Sequence, residues 1–235
     1  MNKPTHVIFL LVLFLSASSS CKTLTTSNGE KIKPFKGTII YDVQVVQVVD
    51  TSYVGDKKYF FGDQMHLTVF RNGDIQRKYF NSSRLGYDLD YMDIKHNIYI
   101  SKYNNSDSFY QENAKIANMA KVRDLPLSKE SEKILSYDLK EIAIGAQETS
   151  TSLAKGSFLG LRYWHSGILK VDKSRYNEIN HDLWSYFMNK SDGSLCLKYE
   201  IDYFTYKVTY TAIGILPGKF EKHKAISDES LRVIR

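Results

Sequence analysis

Histidine is the side chain in this sequence best suited to bind a transition metal or to move a proton near neutral pH. The six histidines are His6, His66, His96, His165, His181 and His223. A zinc site built on one strand or helix needs two of them two or four residues apart, and no pair has either spacing. His66 alternates with apolar neighbours, which is typical of a solvated residue on a strand. We therefore expect no metal site.

Three acids form the pattern Asp-x-Asp-x-x-Asp at Asp88, Asp90 and Asp93. A calcium-binding helix-loop-helix needs an oxygen ligand at the fifth position of its loop and a glycine at the sixth. This sequence has Met92 and Asp93 at those positions. The pattern predicts acidic residues on the wet face of a hairpin rather than a calcium site.

A serine hydrolase of the common α/β type carries its nucleophile in a Gly-x-Ser-x-Gly turn. The segment Gly156-Ser157-Phe158-Leu159-Gly160 has its serine one place too early. His181 and Asp182 are neighbours in the sequence, but this does not make them catalytic partners, because a triad is assembled only in the fold. No phosphate-binding loop or dinucleotide fingerprint occurs, so we expect neither a cofactor nor an enzyme. A hydrolase built from scattered acids and histidines stays open as an alternative.

Aromatic residues are the most conspicuous group, with 17 tyrosines and 12 phenylalanines against 2 tryptophans. Tyrosine favours half-buried, pleated surfaces, so this composition indicates β-structure. The aromatic residues on the predicted strands are Tyr41, Phe70, Tyr79, Phe80, Tyr87, Tyr91, Tyr99, Tyr163, Trp164, Tyr199, Tyr203 and Tyr206. Alternate members would line the concave face of a curled sheet, either as ordinary packing or as an apolar cleft for an acyl chain or another hydrophobic ligand.

The formal net charge of +6 comes from basic residues that are scattered singly or in pairs. Nucleic-acid binding needs a clustered basic footprint, so we expect no nucleic-acid partner. A modest attraction to an anionic membrane surface is the expected consequence of this charge.

The first twenty residues have the three-part plan of an export signal. A weakly basic start is followed by nine apolar residues, Val7 to Leu15, and then by the small residues Ser16 to Ser20. Nine residues are too few to cross a bilayer core of about 30 Å. Residues 1–20 are therefore predicted to be a signal peptide and not a transmembrane helix.

Cys21 directly follows the small residues and resembles the lipidated cysteine of a lipoprotein signal. Acyl chains on this residue would hold the mature protein to a membrane, since each buried methylene contributes about 0.8 kcal/mol. Ser18 stands where the strict signal has leucine, so the match is to looser Ser-Ser-Cys signals. Ordinary secretion with a free Cys21 is the alternative, and it alone would permit a disulfide to Cys196, which otherwise is expected to be a buried, inert thiol.

Residues 21–35 are polar and indicate an acylated cysteine followed by a tether, and residues 36–235 indicate a single β-rich domain. Strands are predicted from Gly37, and in hairpins at 64–79 and 86–103. Asn72-Gly73 is typical of a two-residue type I′ turn. Further strands are predicted at 133–144, 158–166, 195–202 and 206–215.

Two short helices are also predicted. Ser108 to Gln111 forms a capping box ahead of a weak helical face at Ile116 and Met119. Asn180 is placed to cap a helix that buries Leu183, Trp184, Phe187 and Met188. About nine antiparallel strands with one or two helices indicate an α+β fold, a large curled antiparallel sheet with the helices packed on one face.

The order of these features resembles the GLPGLI-type lipoproteins of Bacteroidota, a family of unknown function with a LolA-like half-barrel. The segments that carry the resemblance are Gly37 to Tyr41, Lys133 to Ile142, Tyr163-Trp164, Leu169 to Asp172, Gly193 to Glu200 and Tyr206 to Ala212. Leu139, Ser136 and the pair Leu195-Cys196 depart from the family pattern, so a disulfide of the family is lost here. The resemblance implies the fold and brings no established activity.

These observations together predict a non-enzymatic envelope lipoprotein that binds a hydrophobic ligand or a partner protein in a curled-sheet cleft. The acylated Cys21 would anchor it to the outer membrane, facing the periplasm, because Lys22 to Thr25 lacks the acids of surface-export signals. A purely structural scaffold on the membrane is a further alternative.

Overall fold

The computed structural model describes residues 24–25, 31–48, 60–128, 132–149, 158–203 and 205–218. The predicted signal peptide, Cys21, Ser157 and His223 lie outside these residues. Two short strands, β1 (Leu24–Thr25) and β2 (Lys31–Ile32), pair with each other in a unit of their own. Everything below concerns the second unit, which begins at Lys33.

The main element of this unit is one antiparallel sheet of eleven strands. Its strands are β3 (Gly37–Gln47), β4 (Gln64–Val69), β5 (Ile75–Phe80), β6 (Tyr87–Asp93), β7 (Ile98–Tyr103), β8 (Tyr110–Asn113), β9 (Met119–Asp124), β12 (Lys140–Glu148), β13 (Phe158–Lys170), β14 (Ser194–Asp202) and β15 (Tyr206–Pro217). They lie in the order β8-β7-β6-β5-β4-β3-β15-β14-β13-β12-β9. A separate two-stranded hairpin consists of β10 (Lys133–Ile134) and β11 (Tyr137–Asp138). Among the described residues, helix α1 (Trp184–Lys190) follows 3-10 turns at Lys173–Tyr176 and His181–Leu183.

The chain itself requires this sheet to curl. The two edge strands, β8 and β9, are separated by only residues 114–118, which span at most about 20 Å. Eleven strands laid flat at about 4.8 Å spacing would hold their edges about 48 Å apart. The edges therefore turn toward each other, and the sheet wraps around its own concave face.

Alternating apolar side chains fill the concave face. On β3 these are Ile39, Tyr41 and Val43, all less than 7% exposed. The segment between β13 and β14 lies over them and contributes Tyr176, Ile179 and Met188 to the same core. The predicted α+β class, a large curled antiparallel sheet with short helices on one face, is confirmed.

Helix α1 ends because the chain must turn sharply back into β14. Asp192 and Gly193 both have positive φ, at 54° and 76°, and the Gly193 N–H donates to the Met188 carbonyl at 2.8 Å. A Cβ on Gly193 would lie 2.7 Å from the Val171 carbonyl oxygen. Only glycine fits this turn without displacing the backbone.

The predicted hairpin of β4 and β5 is confirmed, but its predicted type I′ turn is wrong. Val69 pairs with Ile75, which leaves a five-residue loop in which Gly73 alone has positive φ. The loop is longer because Phe70 is buried in a second cluster on the outer face of the sheet. The Asp74 carboxylate also fixes the loop by accepting from Asn72 Nδ2 at 2.7 Å and from the Ile94 N–H at 3.1 Å.

The helix predicted from the capping box at Ser108 is wrong, because β8 and β9 occupy this region. The expected apolar face does not exist, since Ile116 is 65% exposed while Phe109 is buried on the outer face. Pairing with β7 and β12 at the sheet edges therefore outweighs the weak helical pattern.

Two other predictions need local correction. The strand predicted at 133–144 is broken at Leu135 and Ser136, which have φ of 48° and 70°, so β12 begins only at Lys140. The helix predicted after Asn180 is confirmed, but Asn180 does not cap it through its side chain. Instead, Asn180 Nδ2 donates to the Lys115 carbonyl at 2.9 Å.

Candidate functional site

The three acids of the Asp-x-Asp-x-x-Asp pattern have three different environments. Asp88 pairs with Lys78 and Lys102, whereas Asp93 accepts from the His96 ring at 3.0 Å. Asp90 points into the core and is 3% exposed. The prediction that these acids lie on a wet face is therefore wrong for Asp90 and Asp93. Within the described residues, no group of histidines, cysteines and acids is arranged to hold a metal ion.

Asp90 belongs to a polar cluster inside the curled sheet. Cross-strand pairing places it opposite Arg77 of β5, whose Nη1 lies 3.9 Å from Asp90 Oδ2. Tyr79, two residues along the same face of β5, donates its hydroxyl to Asp90 Oδ2 at 2.8 Å. Burial raises the pKa of Asp90, and the charge of Arg77 and the Tyr79 hydrogen bond offset only part of this effect.

The second half of the cluster comes from the turn that precedes α1. Arg77 Nη2 donates to Asp182 Oδ2 at 2.9 Å, and Asn118, just before β9, donates to Asp182 Oδ1 at 3.0 Å. The backbone N–H of Asp182 returns a hydrogen bond to Asn118 Oδ1 at 2.8 Å. Asp182 therefore joins β5 to the opposite edge of the sheet.

His181 completes the cluster. Its ring stacks on Tyr99 of β7 with 3.9 Å between centroids, and its Nε2 lies 3.0 Å from Glu112 Oε2 on β8. Burial acts to lower the pKa of His181, but the carboxylates of Asp182 and Glu112 outweigh it and raise the pKa to about 10. The pKa of Asp182 is held well below its usual range, because His181 and Arg77 outweigh the effect of burial. His181 is therefore an imidazolium at neutral pH, bracketed by carboxylates.

The backbone at this point is strained. Asp182 and Leu183 have φ of 50° and 57°, so two successive residues other than glycine are left-handed. Each costs about 1 to 2 kcal/mol relative to the right-handed form. The hydrogen bonds of Asp182 and the burial of Leu183, which is 6% exposed, hold this conformation.

The chemistry of this cluster is that of an internal ion-pair network. His181 Nε2 contacts Glu112, and Asp182 is held by Arg77 and Asn118, so each carboxylate that faces His181 is engaged inside the sheet. The cluster joins distant strands. Its one sign in the sequence was the adjacent pair His181-Asp182, while Arg77 and Asn118 carried no recognisable signal.

A small depression lies beside the cluster, lined in part by Arg77, Asp90 and Tyr99, and it has no room for a water-sized sphere. Asp90 Oδ1 is buried with no hydrogen-bond partner among the described residues. This depression is therefore too small for an acyl chain.

Two further described histidines, His66 and His165, and Cys196 are held in ordinary environments. His66 lies on the outer face against Phe80, with 4.5 Å between ring centroids. His165 is buried, and burial, assisted by Lys140 and Lys170, lowers its pKa to about 4. Burial raises the pKa of Cys196 to about 12, so its thiol is inert as predicted.

Aromatic rings gather at the end of the curled sheet where β3 and β14 finish, and all of them except the buried Phe61 are at least partly exposed. This group, called the aromatic mouth below, consists of Phe60, Phe61, Tyr87, Tyr103, Tyr110, Tyr203 and Tyr206. Tyr87 stacks between Tyr103 at 5.1 Å and the buried Tyr79 at 5.3 Å. A continuous row of rings therefore leads from Tyr110, which is 42% exposed, to the polar cluster.

The sequence singled out Tyr87, Tyr203 and Tyr206 as members of a possible cleft, and the structure brings these three together. It does not bring Tyr91 or Phe70 to them, since both pack on the outer face. Phe60, Phe61, Tyr103 and Tyr110 were missed, because they lie in loops or at strand ends where alternation gives no signal.

No family model matches the chain, and no curated protein matches it. The resemblance to the GLPGLI-type lipoproteins therefore stays a prediction. No helix among the described residues is long and apolar enough to cross a membrane. Among solved structures, the chain is similar to a crystal structure of the Mycobacterium tuberculosis lipoprotein LppX, with 10% identity, 77% of this chain and 87% of that chain covered, and a TM-score of 0.33. A similarity this low carries no argument about function.

Proposed function

We propose that this chain is a lipid-anchored protein of the cell envelope, without catalytic activity, which binds a hydrophobic ligand at the aromatic mouth. The observation that supports the proposal is the cluster of part-exposed rings at one end of a curled sheet. Large apolar side chains gain about 1.5 to 3 kcal/mol when they are fully removed from water. A ligand that covers these rings would gain such energy from several of them at once.

The packing beneath the mouth restricts the mode of binding. Tyr79, Tyr199 and Tyr210 fill the interior, and the last two stack at 4.1 Å between ring centroids. The depression beside Arg77 has no room even for a water-sized sphere. A ligand would therefore lie across the mouth and not penetrate the core.

The charges around the mouth favour an uncharged apolar ligand. Asp63, Asp107 and Asp202 are exposed in the described loops and strand end of this side, where the described bases are Arg84 and Lys207, the latter paired across the strands with Asp202. A free carboxylate or phosphate placed among these acids would be repelled. We therefore expect a neutral acyl compound to bind more tightly than a fatty-acid anion.

The packed core also favours a second function, the binding of a partner protein without any small ligand. Part-exposed tyrosines are common at the centre of protein interfaces. A protein partner would use the same rings, and a scaffold role would use none of them. A hydrolase stays the competing alternative, since His181 converges with two carboxylates. We place it second, because Asp182 and Glu112 are both paired with neighbouring residues of the fold.

The ligand is tested by native mass spectrometry and by equilibrium binding of monooleoylglycerol and of oleate. We expect the neutral lipid to bind, and Tyr110→Ala or Tyr206→Ala to weaken it by about tenfold each. Tyr186→Ala is the matched control, since this ring lies on α1 and hydrogen-bonds Asp124. If neither lipid binds, or if all three variants bind alike, ligand binding at the mouth is wrong and the partner protein becomes the better explanation.

The anchor is tested separately. Acylation at Cys21, followed by placement in the outer membrane facing the periplasm, predicts incorporation of labelled palmitate and processing that globomycin blocks. Cys21→Ala should abolish both. Palmitate that persists in this variant, or processing indifferent to globomycin, would refute the anchor and leave ordinary secretion.

A further inference from the structure

The end of the sheet opposite the aromatic mouth carries a different surface, called the basic end below. It comprises segments 33–36, 70–74 and 167–175 together with Asp192. The segments touch one another: the Phe35 N–H donates to the Lys170 carbonyl at 2.6 Å, and Arg175 and Tyr176 donate to the carbonyls of Asn72 and Gly73. They therefore form one continuous patch.

This patch is basic. Its basic residues are Lys33, Lys36, Arg71, Lys170, Lys173 and Arg175. Only two acids in these segments reach the surface, Asp172 and Asp192, because Asp74 is 1% exposed. Asp192 bridges Lys170 and Lys173 at 2.6 Å each, which leaves a surplus of positive charge. The described loops of the opposite end carry more acids than bases.

Two apolar side chains are exposed to solvent at the basic end. Ile168 is 60% exposed, and Leu216, at the end of β15, is 53% exposed. Ile168 follows Gly167, whose φ of 75° marks an irregularity in β13 between the pairs His165 to Cys196 and Lys170 to Ser194. Only β14 separates the two strands, so β13 and β15 lie about 10 Å apart.

The chain also enters the unit here. Gly37, the first residue of β3, pairs with Pro217 and Val69, so Lys33 lies at this end of the sheet. Only twelve residue steps separate Lys33 from Cys21, and they reach at most about 43 Å. A membrane anchor at Cys21 would keep the basic end close to the bilayer.

We propose that the basic end docks on an anionic membrane surface, with Ile168 and Leu216 entering the interface between basic side chains. Charge complementarity, projecting apolar residues and the point of chain entry all select the same end. Docking there directs the aromatic mouth away from the membrane, toward the aqueous compartment. The inference rests on the lipid anchor of the proposed function and adds the orientation of the anchored protein.

Site-directed spin labelling of the full, acylated chain in vesicles tests the orientation. Cys196 is buried and inert, so a label attaches selectively to Ile168→Cys or to Leu85→Cys. Leu85 is the matched control because it is 65% exposed and lies at the opposite end, between β5 and β6. We expect the label at position 168 to be shielded from a water-soluble relaxation agent in phosphatidylglycerol vesicles, and the label at position 85 to stay exposed.

The charge dependence gives a second measurement. Each basic residue near an anionic surface changes the partition about fivefold, so the shielding at position 168 should decrease strongly in phosphatidylcholine vesicles. The triple variant Lys33→Gln, Lys36→Gln, Lys173→Gln should behave in phosphatidylglycerol as the parent does in phosphatidylcholine. The matched triple Arg84→Gln, Lys121→Gln, Lys207→Gln removes equal charge elsewhere and should leave the shielding unchanged.

Equal exposure of the two labels would overturn the proposal. Shielding at position 168 that is the same in both lipids, or the same in the parent and in the triple variant of Lys33, Lys36 and Lys173, would also overturn it. A chain that proves not to be acylated would refute the anchor alone. The same labels, read on that unanchored chain mixed with phosphatidylglycerol vesicles, would still show whether the basic end binds. Loss of lipid binding at the mouth has no bearing on either measurement.

Discussion

At the scale of single residues, Arg77 lets two carboxylates lie inside the sheet. It pairs with Asp182 at 2.9 Å and approaches Asp90 at 3.9 Å, and its guanidinium lies 5.9 Å from the centre of the Trp184 ring. Removing one partner of a buried ion pair leaves an uncompensated charge, which costs far more than the pair contributes. Removing one charged member of the cluster should therefore destabilise the fold more than removing two members of opposite charge together.

We expect Arg77→Met to lower the free energy of unfolding by about 3 kcal/mol, because Asp90 and Asp182 lose their cation. Urea denaturation measures the change. Arg84→Met, at an exposed arginine in the loop between β5 and β6, should stay within about 0.5 kcal/mol of the parent. If Arg77→Met with Asp182→Asn is no more stable than Arg77→Met alone, the pairing described for Asp182 is wrong.

His181 and His165 should titrate on opposite sides of the ordinary histidine pKa of 6.5. The folded pKa of His181 is about 10, so its protonated form stabilises the fold fully below pH 6.5 and this contribution is lost as the pH rises toward 10. The folded pKa of His165 is about 4, so His165 opposes folding as the pH falls from 6.5 toward 4. Histidine NMR signals measured across pH 3 to 11 report both. A His181 signal that titrates near 6.5 would contradict the network.

At the scale of elements, residues 114–118 connect the two edges of the sheet and are held by the turn before α1. The N–H groups of Asn180 and His181 both donate to the Ala114 carbonyl, at 2.9 and 3.0 Å. Asn118 exchanges two hydrogen bonds with Asp182. This turn therefore fixes the position of both edge strands.

Asn118→Ala should accelerate hydrogen exchange at residues 114–118 and 178–182, and it should destabilise the fold by about 1 to 3 kcal/mol, because Asp182 loses two partners. Asn104→Ala is the matched control. Asn104 also makes several hydrogen bonds, to Ser82 and Ser83 in the loops near the aromatic mouth. Faster exchange at the edges in both variants would mean that the connection has no special role.

Strands were predictable where their alternation was regular, and this explains why β3, β4 and β13 to β15 were found from the sequence. The prediction failed where long-range contacts decide the backbone. Ser108 to Met119 has a weak helical pattern, yet its ends pair with β7 and β12, strands that local propensity does not identify as partners. The left-handed pair Asp182 and Leu183 is equally invisible in the sequence, because the bonds to Arg77 and Asn118 that hold it come from 105 and 64 residues away, respectively.

The candidate site was likewise predictable only in part from the sequence. Composition indicated an aromatic face, because alternate aromatic residues on the predicted strands line one side of a sheet. It did not reveal that most of those rings would fill the interior and only one end would stay accessible. That outcome depends on how tightly the sheet curls, which is set by the short connection between β8 and β9.

At the scale of the whole molecule, the two tryptophans report on different layers. Trp164 packs on the sheet beneath Lys198, whose Nζ lies 4.6 Å from its ring centre, whereas Trp184 in α1 stacks near Tyr176. The hydrogen bonds that His181 and Asp182 make to Glu112, Ala114 and Asn118 join the segment around α1 to both edges of the sheet. We therefore expect the layers to unfold together.

Variants with a single tryptophan, Trp164→Phe and Trp184→Phe, test this cooperativity. In urea, the fluorescence midpoint of each should coincide with its own midpoint from far-ultraviolet circular dichroism, as in two-state unfolding. A fluorescence change of Trp184 well before the loss of β-structure would show that the segment over the concave face opens independently.

The pairing of β3 with β15 has a consequence for biogenesis. β3 lies at the middle of the sheet, but its partners on β15 follow 159 to 180 positions later, from Gln47 with Tyr206 to Gly37 with Pro217. At a synthesis rate of about 5 to 20 residues per second, one side of β3 waits roughly 10 to 30 s for its partner. Throughout that interval a long β-branched strand presents an open edge to other chains. Holding the nascent chain unfolded until β15 has been made would protect it from aggregation.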